Sequence, residues 1–418
     1  MPQLRVGYVV SQYPATNHTF ILREIRTLRR LGVDVCVVSI REPDRAASAL
    51  SPEEAEELSL TYSVLGAGMG NALLVHLRTL ATSPLAYIGA FFYALGLAGS
   101  HFRKAGQYLL YFGEAVVAGD FLLRKGIRHT HTHFSSTVTL MLAKLFPISF
   151  SATIHGPDEF NDVIGFHMAE KVAASAFIST ISHYAASQIM KASDPQYWNK
   201  VQVLPLGVDP NAFRPRPQPS QRPEFECVCV GRLAPAKAHL ILFAAIGRLV
   251  AQGRTNIRLT VVGGGPAQAS LEAAIAAGNL GPYIRLVGPC NQDRVLEFYR
   301  QADIFTLASF AEGVPVVLME AMAMEIPCVT TWITGVPELI RAEVDGLLIP
   351  PADADALAAA IARLMDDAEL CARLGRSART RVLECYNLER NTERLEQVFR
   401  RYLLPGHPAP AAQGVINA

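Results

Sequence analysis

Short apolar segments that each run into a glycine-rich or charged turn recur through the second half of the chain, and they constrain its fold most strongly. They cover residues 227–231, 259–263, 284–287, 304–308 and 328–330. Continuous apolar runs of this length are typical of strands buried on both faces of a parallel sheet, with helices between the strands. The carboxyl ends of such strands share one edge of the sheet, where ligands bind. We therefore predict a doubly wound α/β domain with a ligand site at that edge.

The first half of the chain begins with the same alternation. Residues 5–10 predict a strand, Thr19 is expected to cap the helix that follows, and residues 33–39 predict a second strand. This βαβ opening indicates another doubly wound domain. The predicted organisation comprises a first domain 1–204, a linker 205–223 that is rich in proline, a second domain 224–383, a C-terminal helix 384–404 and a disordered tail 405–418.

The turn after residues 304–308 brings a carboxylate to the start of a helix. Glu312 lies in this turn, and Glu320 lies about two turns into the helix. Pro315 suits the first helical position because its missing N–H would be unpaired there. The free N–H groups and the positive dipole end of a helix N-terminus favour an anionic ligand. The turn is therefore a candidate binding site.

Two cations follow the strand at residues 227–231. Arg232 offers a bidentate fork and Lys237 a point charge, a combination that suits a diphosphate. The alternative is a pair of unrelated surface cations. Asp353 and Asp355 form an Asp-x-Asp pattern, but an Ala/Leu-rich helix follows them, so we interpret Asp353 as an N-cap.

Histidines mark two strands of the predicted first sheet. His155 ends an apolar segment and precedes Gly156, so we favour a ligand contact over a capping or core role. His129, His131 and His133 alternate along an earlier strand and share one face. A metal site is the alternative there. Residues two apart on a strand are spaced by about 7 Å, too far to share an ion without a bulge, so we favour a structural role.

Residues 79–101 contain no Asp, Glu, Lys or Arg, and about 20 apolar residues suffice to cross a membrane. A crossing would separate segments of one predicted sheet, so we exclude it. Two interpretations stay open for the helical segment 70–125. One is a buried helical hairpin, which we favour slightly, and the other is contact in the plane of an anionic membrane. Lys104, Arg124 and Lys125 beside apolar side chains support the second.

The composition of the chain limits its domain count, its partners and its compartment. The chain has 418 residues, 50% of them hydrophobic and 18% charged, which suits two domains with large cores. A formal net charge of +1 argues against nucleic-acid binding. Seven cysteines without metal-ligand spacing, and an N-terminal apolar run too short for a signal peptide, predict a cytoplasmic protein.

Three of these patterns together resemble the retaining GT-B glycosyltransferases of family 4. They are two glutamates separated by seven residues around a Gly-x-Pro turn, a Gly-Arg-x4-Lys segment after a strand, and a His-Gly pair at a strand end. The Pro…Thr-Phe-Ile…Glu pattern over residues 14–24 resembles the exopolysaccharide and colanic-acid branch of that family. The resemblance implies two Rossmann-like domains that face each other across a cleft, with the C-terminal helix crossing back to the first domain.

The same resemblance implies an activity. A hexose is transferred from a UDP- or GDP-sugar to an acceptor hydroxyl, with retention of configuration. A glycan or lipid-linked glycan is the implied acceptor, in surface or exopolysaccharide synthesis at the inner face of the plasma membrane. The resemblance implies neither a metal nor another cofactor. Two alternatives stay open: a nucleotide-sugar epimerase of the same architecture, and an inactive subunit that binds a sugar nucleotide.

The resemblance assigns the donor contacts to specific residues. Arg232 and Lys237 are implied to hold the diphosphate. Glu312 is implied to hold sugar hydroxyls, and Glu320 the ribose hydroxyls. Further contacts around the donor are implied at Gly264, Val287, Gly288, Gly313, Val314, Pro315 and Val316.

The remaining implied roles concern the first domain. His155 contacts the transferred sugar, and Asp158 lies near the acceptor or supports His155. Contact of Tyr13 or Thr19 with the acceptor is a further expectation, since both lie in or after the loop that follows the first strand.

Overall fold

The computed structural model describes residues 3–15, 18–99, 102–215 and 224–404. The chain divides into two compact units. The first comprises Met1–Ile181, Ala185–Leu204 and Thr392–Ala418, and the second comprises Ser182–Tyr184 and Pro205–Asn391. The predicted tail and residues 216–223 of the predicted linker lie outside the described residues.

A parallel sheet forms the centre of the first unit. Its described strands are β1 (Arg5–Gln12), β2 (Asp34–Arg41), β3 (Thr61–Ser63), β4 (His129–His133), β5 (Ser149–Ile154), β6 (Ile178–Thr180) and β7 (Val201–Val203). Their order is β3-β2-β1-β4-β5-β6-β7, and the described neighbours all pair in parallel. Strands β1 and β5 are buried over most of their length, as expected where helices cover both faces of a sheet.

Helices connect these strands and cover the sheet. They are α1 (Thr19–Arg30), α2 (Pro52–Ser59), α3 (Met69–Thr82), α4 (Pro84–Leu97), α5 (Phe102–Arg124), α6 (Ser136–Leu145), α7 (Pro157–Phe160), α8 (Met168–Ala174) and α9 (His183–Lys191). Thr19 is the first residue of α1, and no side chain caps that helix. The prediction that Thr19 is a helix cap is therefore wrong.

The second unit has the same construction. Its described strands are β8 (Phe225–Val230), β9 (Ile257–Val262), β10 (Ile284–Gly288), β11 (Ile304–Leu307), β12 (Cys328–Thr331) and β13 (Leu347–Ile349), in the order β10-β9-β8-β11-β12-β13. Its helices are α10 (His239–Ala251), α11 (Gln268–Ala277), α12 (Gln292–Gln301), α13 (Val316–Ala323), α14 (Val336–Leu339), α15 (Ala354–Asp366) and α16 (Ala368–Cys385). The described strand pairs are parallel, so the prediction of two doubly wound α/β sheets is confirmed.

The last helix, α17 (Leu388–Leu403), supplies core residues to the first unit. Leu395, Val398 and Phe399 are buried in the cluster that contains Tyr8 of β1 and Phe177 before β6. This packing fixes α17 against one face of the first sheet. Asp353 accepts a hydrogen bond from the N–H of Ala356 and caps α15, as the sequence predicts.

Helices α3, α4 and α5 bury one face and expose the other. Ala90 and Ala94 of α4 are buried in the cluster on the opposite face of the first sheet. The outer side presents large apolar residues: Met69, Leu73, Leu74, Leu77, Leu85 and Phe92 are each 57–90% exposed. The buried-hairpin interpretation therefore holds only for the inner face.

Length and composition set limits on membrane crossing. Within the described residues, no helix alone is long and apolar enough to span a membrane. Helices α3 and α4, which bend by 118° at their junction, satisfy the same two criteria as a pair.

Glu114 on α5 predicts a dependence of stability on pH. Burial raises the pKa of this carboxyl from 4.5 to about 7, against a smaller effect of Arg41. Between these pH values the folded chain keeps a proton that the unfolded chain has lost, so the free energy of unfolding falls as the pH rises. We expect Glu114→Gln to raise that free energy at pH 8 by about 1 kcal/mol, allowing for partial exposure to water, and to change it little at pH 4.

Urea unfolding at the two pH values measures this difference. The exposed Glu53→Gln on α2 is the matched control for the loss of one carboxylate. An equal effect of Glu114→Gln at pH 4 and pH 8 would contradict the expectation.

Candidate functional site

The second sheet reverses its direction of winding between two neighbouring strands, β8 and β11. The chain passes from β8 to β9 on one side, whereas β11 and β12 lie on the other side. Ligands bind at such switch points, beyond the carboxyl ends of the strands. The turn after β8 carries Arg232 and Lys237, and the turn after β11 carries Glu312. The structure therefore brings these three predicted residues to one place in the second unit.

An ion pair joins the two turns. Lys237 Nζ lies 2.5 Å from Glu312 Oε1, and the side chains are 22% and 10% exposed. The Phe310 N–H donates to the Ala236 carbonyl over 2.8 Å, which connects the backbones of the same turns. Ser309 Oγ donates to Glu312 Oε1 over 2.6 Å. The carboxylate is thus held in place by a cation and a hydroxyl.

The contacts of Arg232 differ from those of Lys237. Its side chain is exposed, and among the described residues it has neither an ion pair nor a hydrogen bond. Lys237 is already paired with a carboxylate, so Arg232 contributes the unpaired positive charge of this region. A guanidinium in that position can bind a phosphate with two parallel hydrogen bonds.

Helix α13 begins beside the Glu312 turn. Pro315 is its N-cap, with an extended backbone, and Val316 is its first residue. The prediction that Pro315 occupies the first helical position is thus one residue off. No side chain of the described residues caps this helix, so the N–H groups of Val316 and Val317 can face an anion, while the Leu318 N–H donates to the Pro315 carbonyl.

The glycine-rich loop after β9 packs directly on the Arg232 turn. The Leu233 N–H donates to the Gly264 carbonyl over 3.0 Å. A Cβ at Gly263 would lie 2.0 Å from the Gly231 carbonyl oxygen, and φ of Gly263 is +146°. The Gly263 N–H also donates to the Gly288 carbonyl. The predicted contacts Gly264, Val287 and Gly288 therefore lie in backbone that supports the cationic turn.

Glu320 lies inside α13 rather than on an open surface. It is 6% exposed, and its carboxylate accepts hydrogen bonds from Gln292 Nε2 over 3.1 Å and from the Tyr299 hydroxyl over 3.0 Å. These two donors orient the Glu320 carboxylate.

In the first unit, His155 follows β5 in a tightly defined turn. The His155 and Gly156 N–H groups donate to the Glu159 carboxylate over 2.6 and 3.0 Å. Phe20 and Phe134 flank the imidazole with ring centroids at 5.0 and 4.7 Å. Burial lowers the pKa of His155 well below its usual value, so the ring is neutral at pH 7.

Glu159 has the supporting role that the sequence analysis assigned to Asp158 as one option. The side chain of Asp158 lies outside the described part of the structure. The signal for Glu159 was present in the sequence: a glutamate three residues after Gly156, at the start of a helix, matches the second half of a capping box.

The predicted contacts with an acceptor need correction in one case. Tyr13 has no exposed surface, and its hydroxyl donates to Glu57 over 2.9 Å. Tyr13 is therefore a core residue, and the prediction that it contacts an acceptor is wrong. Thr19 is half-buried at the start of α1, and its predicted acceptor contact stays a prediction.

The three alternate histidines of β4 form a hydrogen-bonded row with β5. His129 contacts Ser149 and Ser151, and His131 contacts Ser151 and Thr153, at 2.8–2.9 Å. The register of the two parallel strands produces this row, because His129 faces Ser149 and each next pair is two residues on. Burial lowers the pKa of His129 to about 3, so its imidazole is neutral.

The spacing argument against a shared metal needs correction. The His131 and His133 ring centroids are 5.1 Å apart, and their nitrogens lie with a Glu24 oxygen within 4.8 Å of one another. The rings of residues two apart on a strand can therefore lie closer together than the backbone spacing suggests. Each of these ring nitrogens already has a hydrogen-bonding partner in the protein, which accounts for the cluster as a polar network.

Two doubly wound parallel sheets in one chain are the architecture of the GT-B fold. Residues 213–381 match the family model "Glycosyl transferases group 1". The solved structure of HepE from Anabaena, in complex with UDP and glucose, superposes with a TM-score of 0.70 at 14% identity, over 95% of this chain and 98% of HepE.

Two curated relatives extend the match along the chain. The putative colanic acid biosynthesis glycosyltransferase WcaL of Escherichia coli K12 is 25% identical over 92% of this chain and 96% of its own length. The amylovoran biosynthesis glycosyltransferase AmsK of Erwinia amylovora is 33% identical over 48% of this chain, and that match spans about half of AmsK (51%). Residues 213–381 therefore belong to the group 1 glycosyltransferases, family 4, and the chain is homologous to glycosyltransferases of exopolysaccharide synthesis.

The packing of Gly263 on the Arg232 turn gives a testable prediction. We expect Gly263→Ala to lower the free energy of unfolding by about 2 kcal/mol or more, because the new methyl group collides with backbone and φ is unfavourable for alanine. Urea unfolding measures the change. Gly281→Ala, in the same unit and with open space around its Cα, is the control. Equal stability of the two variants would show that the loop does not depend on this contact.

Proposed function

We propose that this glycosyltransferase transfers a hexose from a UDP- or GDP-linked donor to a hydroxyl of a lipid-linked glycan in surface or exopolysaccharide synthesis. The observation that carries the proposal is the convergence of Arg232, the Lys237–Glu312 pair and the N-terminus of α13 at the switch point of the second sheet. Homology to WcaL and AmsK, both named for polysaccharide synthesis, supports the acceptor class.

The chemical demand is for positive charge beside the leaving group. As the bond from the sugar to the diphosphate breaks, negative charge grows on the phosphate oxygens and the sugar becomes oxocarbenium-like. Preorganised donors that face the developing charge lower the barrier most. In the proposed mechanism Arg232, Lys237 and the N–H groups at the start of α13 meet that demand.

Glu312 and Glu320 have different proposed partners. Glu312 accepts hydrogen bonds from hydroxyls of the sugar, and its pairing with Lys237 aligns both side chains before the donor binds. Glu320, oriented by Gln292 and Tyr299, accepts from the ribose hydroxyls. Backbone groups of Gly264, Val287 and Gly288 surround the base, and those of residues 313–316 contact phosphate and sugar oxygens.

The acceptor hydroxyl attacks on the face from which the diphosphate leaves, and the departing phosphate oxygen takes the hydroxyl proton. This route keeps the configuration at the anomeric carbon and needs no enzymic nucleophile. His155 is the proposed contact of the first unit with the transferred sugar.

Loss of Arg232 tests the donor site. A thermal-shift screen with UDP- and GDP-sugars first selects the base. We then expect Arg232→Ala to weaken nucleotide binding at least tenfold, because about 1.5–3 kcal/mol is lost with a charge-assisted hydrogen bond. Calorimetric titration measures the dissociation constant. Arg376→Ala, which removes an exposed arginine of α16, is the control. Unchanged binding by Arg232→Ala would falsify the assignment of the diphosphate site.

We also propose that the outer face of α3 and α4 binds an anionic membrane, where a lipid-linked acceptor is found. Leu74, Leu85 and Phe92 are 63%, 86% and 63% exposed on this face. Several large apolar side chains exposed on two adjoining helices indicate a membrane or protein contact.

The charge distribution favours an anionic membrane over a protein partner. Between residues 69 and 125 the acidic residues are Glu114, which is half-buried, and Asp120, which is 7% exposed. Arg78 and Arg124 are 41% and 54% exposed and both contact Asp120, and Lys125 is exposed. The exposed charge of these helices is therefore positive, which anionic lipid headgroups attract.

Charged substitutions on this face give the fourth prediction. We expect the double variant Leu85→Glu and Phe92→Glu to reduce sedimentation with phosphatidylglycerol-containing vesicles at least fivefold, because two carboxylates would have to approach anionic lipid. Leu383→Glu, on α16 of the second unit, is the matched control. Phosphatidylcholine vesicles test the role of charge. Failure of the unmodified protein to sediment with either vesicle, together with a dimer in light scattering, would reassign the face to a second copy of the chain.

A further inference from the structure

A chain of buried hydrogen bonds lies behind His155. The Tyr8 hydroxyl donates to Glu24 Oε1 over 2.8 Å. His133 Nε2 lies 3.0 Å from the same oxygen. On the other side of the ring, His133 Nδ1 lies 2.8 Å from His155 Nε2. Glu24 on α1 is thus connected to the predicted sugar contact through one imidazole.

The residues of this hydrogen-bonded series lie at a defined place in the fold. Tyr8 lies on β1, His133 ends β4, and these strands are the pair between which the first sheet reverses its winding. Tyr8 and His133 have no exposed surface, and Glu24 is 9% exposed. Buried polar groups are usually hydrogen-bonded, and Tyr8, Glu24 and His133 each have a hydrogen-bonding partner. His133 therefore lies at the carboxyl edge of the sheet, where ligands bind, and Tyr8 lies deeper in the core.

With Glu24 ionised and His133 neutral, the direction of each hydrogen bond follows. An ionised carboxylate only accepts hydrogen bonds, so His133 Nε2 must carry a hydrogen and donate to Glu24. In a neutral imidazole the other nitrogen is then an acceptor, so His133 Nδ1 accepts and His155 Nε2 donates. His155 is neutral because burial lowers its pKa. Its hydrogen therefore lies on Nε2, and its Nδ1 carries a lone pair.

A charged His133 would reverse the second bond. Both of its nitrogens would donate, His155 Nε2 would accept, and the His155 hydrogen would move to Nδ1. His133 is fully buried, and its ring centroid lies 5.1 and 5.0 Å from those of His131 and His155. The neutral form of His133 is part of the proposal below, and its imidazolium is the alternative outcome of the spectroscopic test.

The rest of the surroundings hold the His155 ring in place. Glu159 fixes the backbone at His155 and Gly156, and Phe20 and Phe134 lie against the ring. Within the described residues His155 Nδ1 has no hydrogen-bonding partner, while the residue is half-buried. The unshared lone pair is therefore left for a ligand.

We propose that Glu24 is a positioning residue that acts through His133 to hold His155 in the Nε2–H tautomer. His155 then presents Nδ1 as a hydrogen-bond acceptor to a hydroxyl of the transferred sugar. The step involves no covalent change: a sugar O–H donates to an imidazole lone pair. The ligand part of this inference rests on the proposed function, whereas the tautomer is a property of the protein alone.

Nuclear magnetic resonance of the full chain with ¹⁵N-labelled histidine tests the tautomer. Two-bond and three-bond ¹H–¹⁵N couplings identify which ring nitrogen carries the hydrogen. We expect His133 and His155 both to give the Nε2–H pattern at pH 7.5. An Nδ1–H pattern for His155, or an imidazolium pattern for His133, would overturn the proposal. This measurement needs no variant, so it decides even if substitutions impair folding.

Binding of UDP and UDP-glucose tests the positioning role. Glu24→Met removes the acceptor of the His133 hydrogen, and we expect both rings to show mixed tautomers and the affinity for UDP-glucose to fall about tenfold while that for UDP is unchanged. Glu24→Gln retains an acceptor oxygen and should restore the unmodified pattern. Tyr8→Phe removes the other bond to Glu24 and is the control, with no change of tautomer expected.

The outcomes separate the two proposals. Equal losses of UDP and UDP-glucose binding in Glu24→Met, or mixed tautomers in Tyr8→Phe alone, would contradict the positioning role. Failure of the unmodified protein to bind either compound or a GDP-sugar would remove the proposed donor site, and the tautomer measurement would still decide the hydrogen-bond chain.

Discussion

The Lys237–Glu312 ion pair is the contact on which the arrangement of the candidate donor site depends. Its two members come from turns 75 residues apart in sequence, and the parallel pairing of β8 with β11 brings those turns together. The pair is largely shielded from water. Its two charges therefore attract each other more strongly than those of a typical surface pair, and its geometry is better defined. Arg232, the glycine-rich loop and the start of α13 are arranged around it.

The two units carry chemically different residues at the same topological position, the switch point of each sheet. In the second unit, the switch point between β8 and β11 gathers cations and free N–H groups, which suit phosphate. In the first unit, the switch point between β1 and β4 gathers neutral imidazoles and a carboxylate, which suit hydroxyl groups. Parallel strands make both possible, because each contributes a turn at the same edge of its sheet.

Much of the fold and the donor site followed from local sequence. Buried parallel strands are apolar without interruption, so they could be located, and the turns after β8 and β11 carry charged residues that stand out against them. The Asp353 cap was equally local. Position relative to a strand end was therefore enough to predict that Arg232, Lys237 and Glu312 lie at one edge of the second sheet and that His155 lies at the edge of the first.

Other features depend on contacts between residues that are far apart in sequence, and these contacts cannot be inferred from one sequence alone. Tyr13 follows a strand as a binding residue could, yet Glu57 on α2 receives its hydroxyl in the core. The histidine row needs the register of β4 against β5. The apolar character of α4 did not reveal that Ala90 and Ala94 face inward while Leu85 and Phe92 face water.

The resting state of the Lys237–Glu312 pair has a consequence for ligand choice. Each partner satisfies the other, so a small anion that attracts only the ammonium group must compete with a carboxylate already in place. In the proposed function, a nucleotide sugar offers hydroxyls to the carboxylate and phosphate oxygens to the ammonium group at the same time, and so exchanges one internal bond for two external ones. The closed pair would then favour molecules that carry both kinds of group over free phosphate, which lacks the sugar.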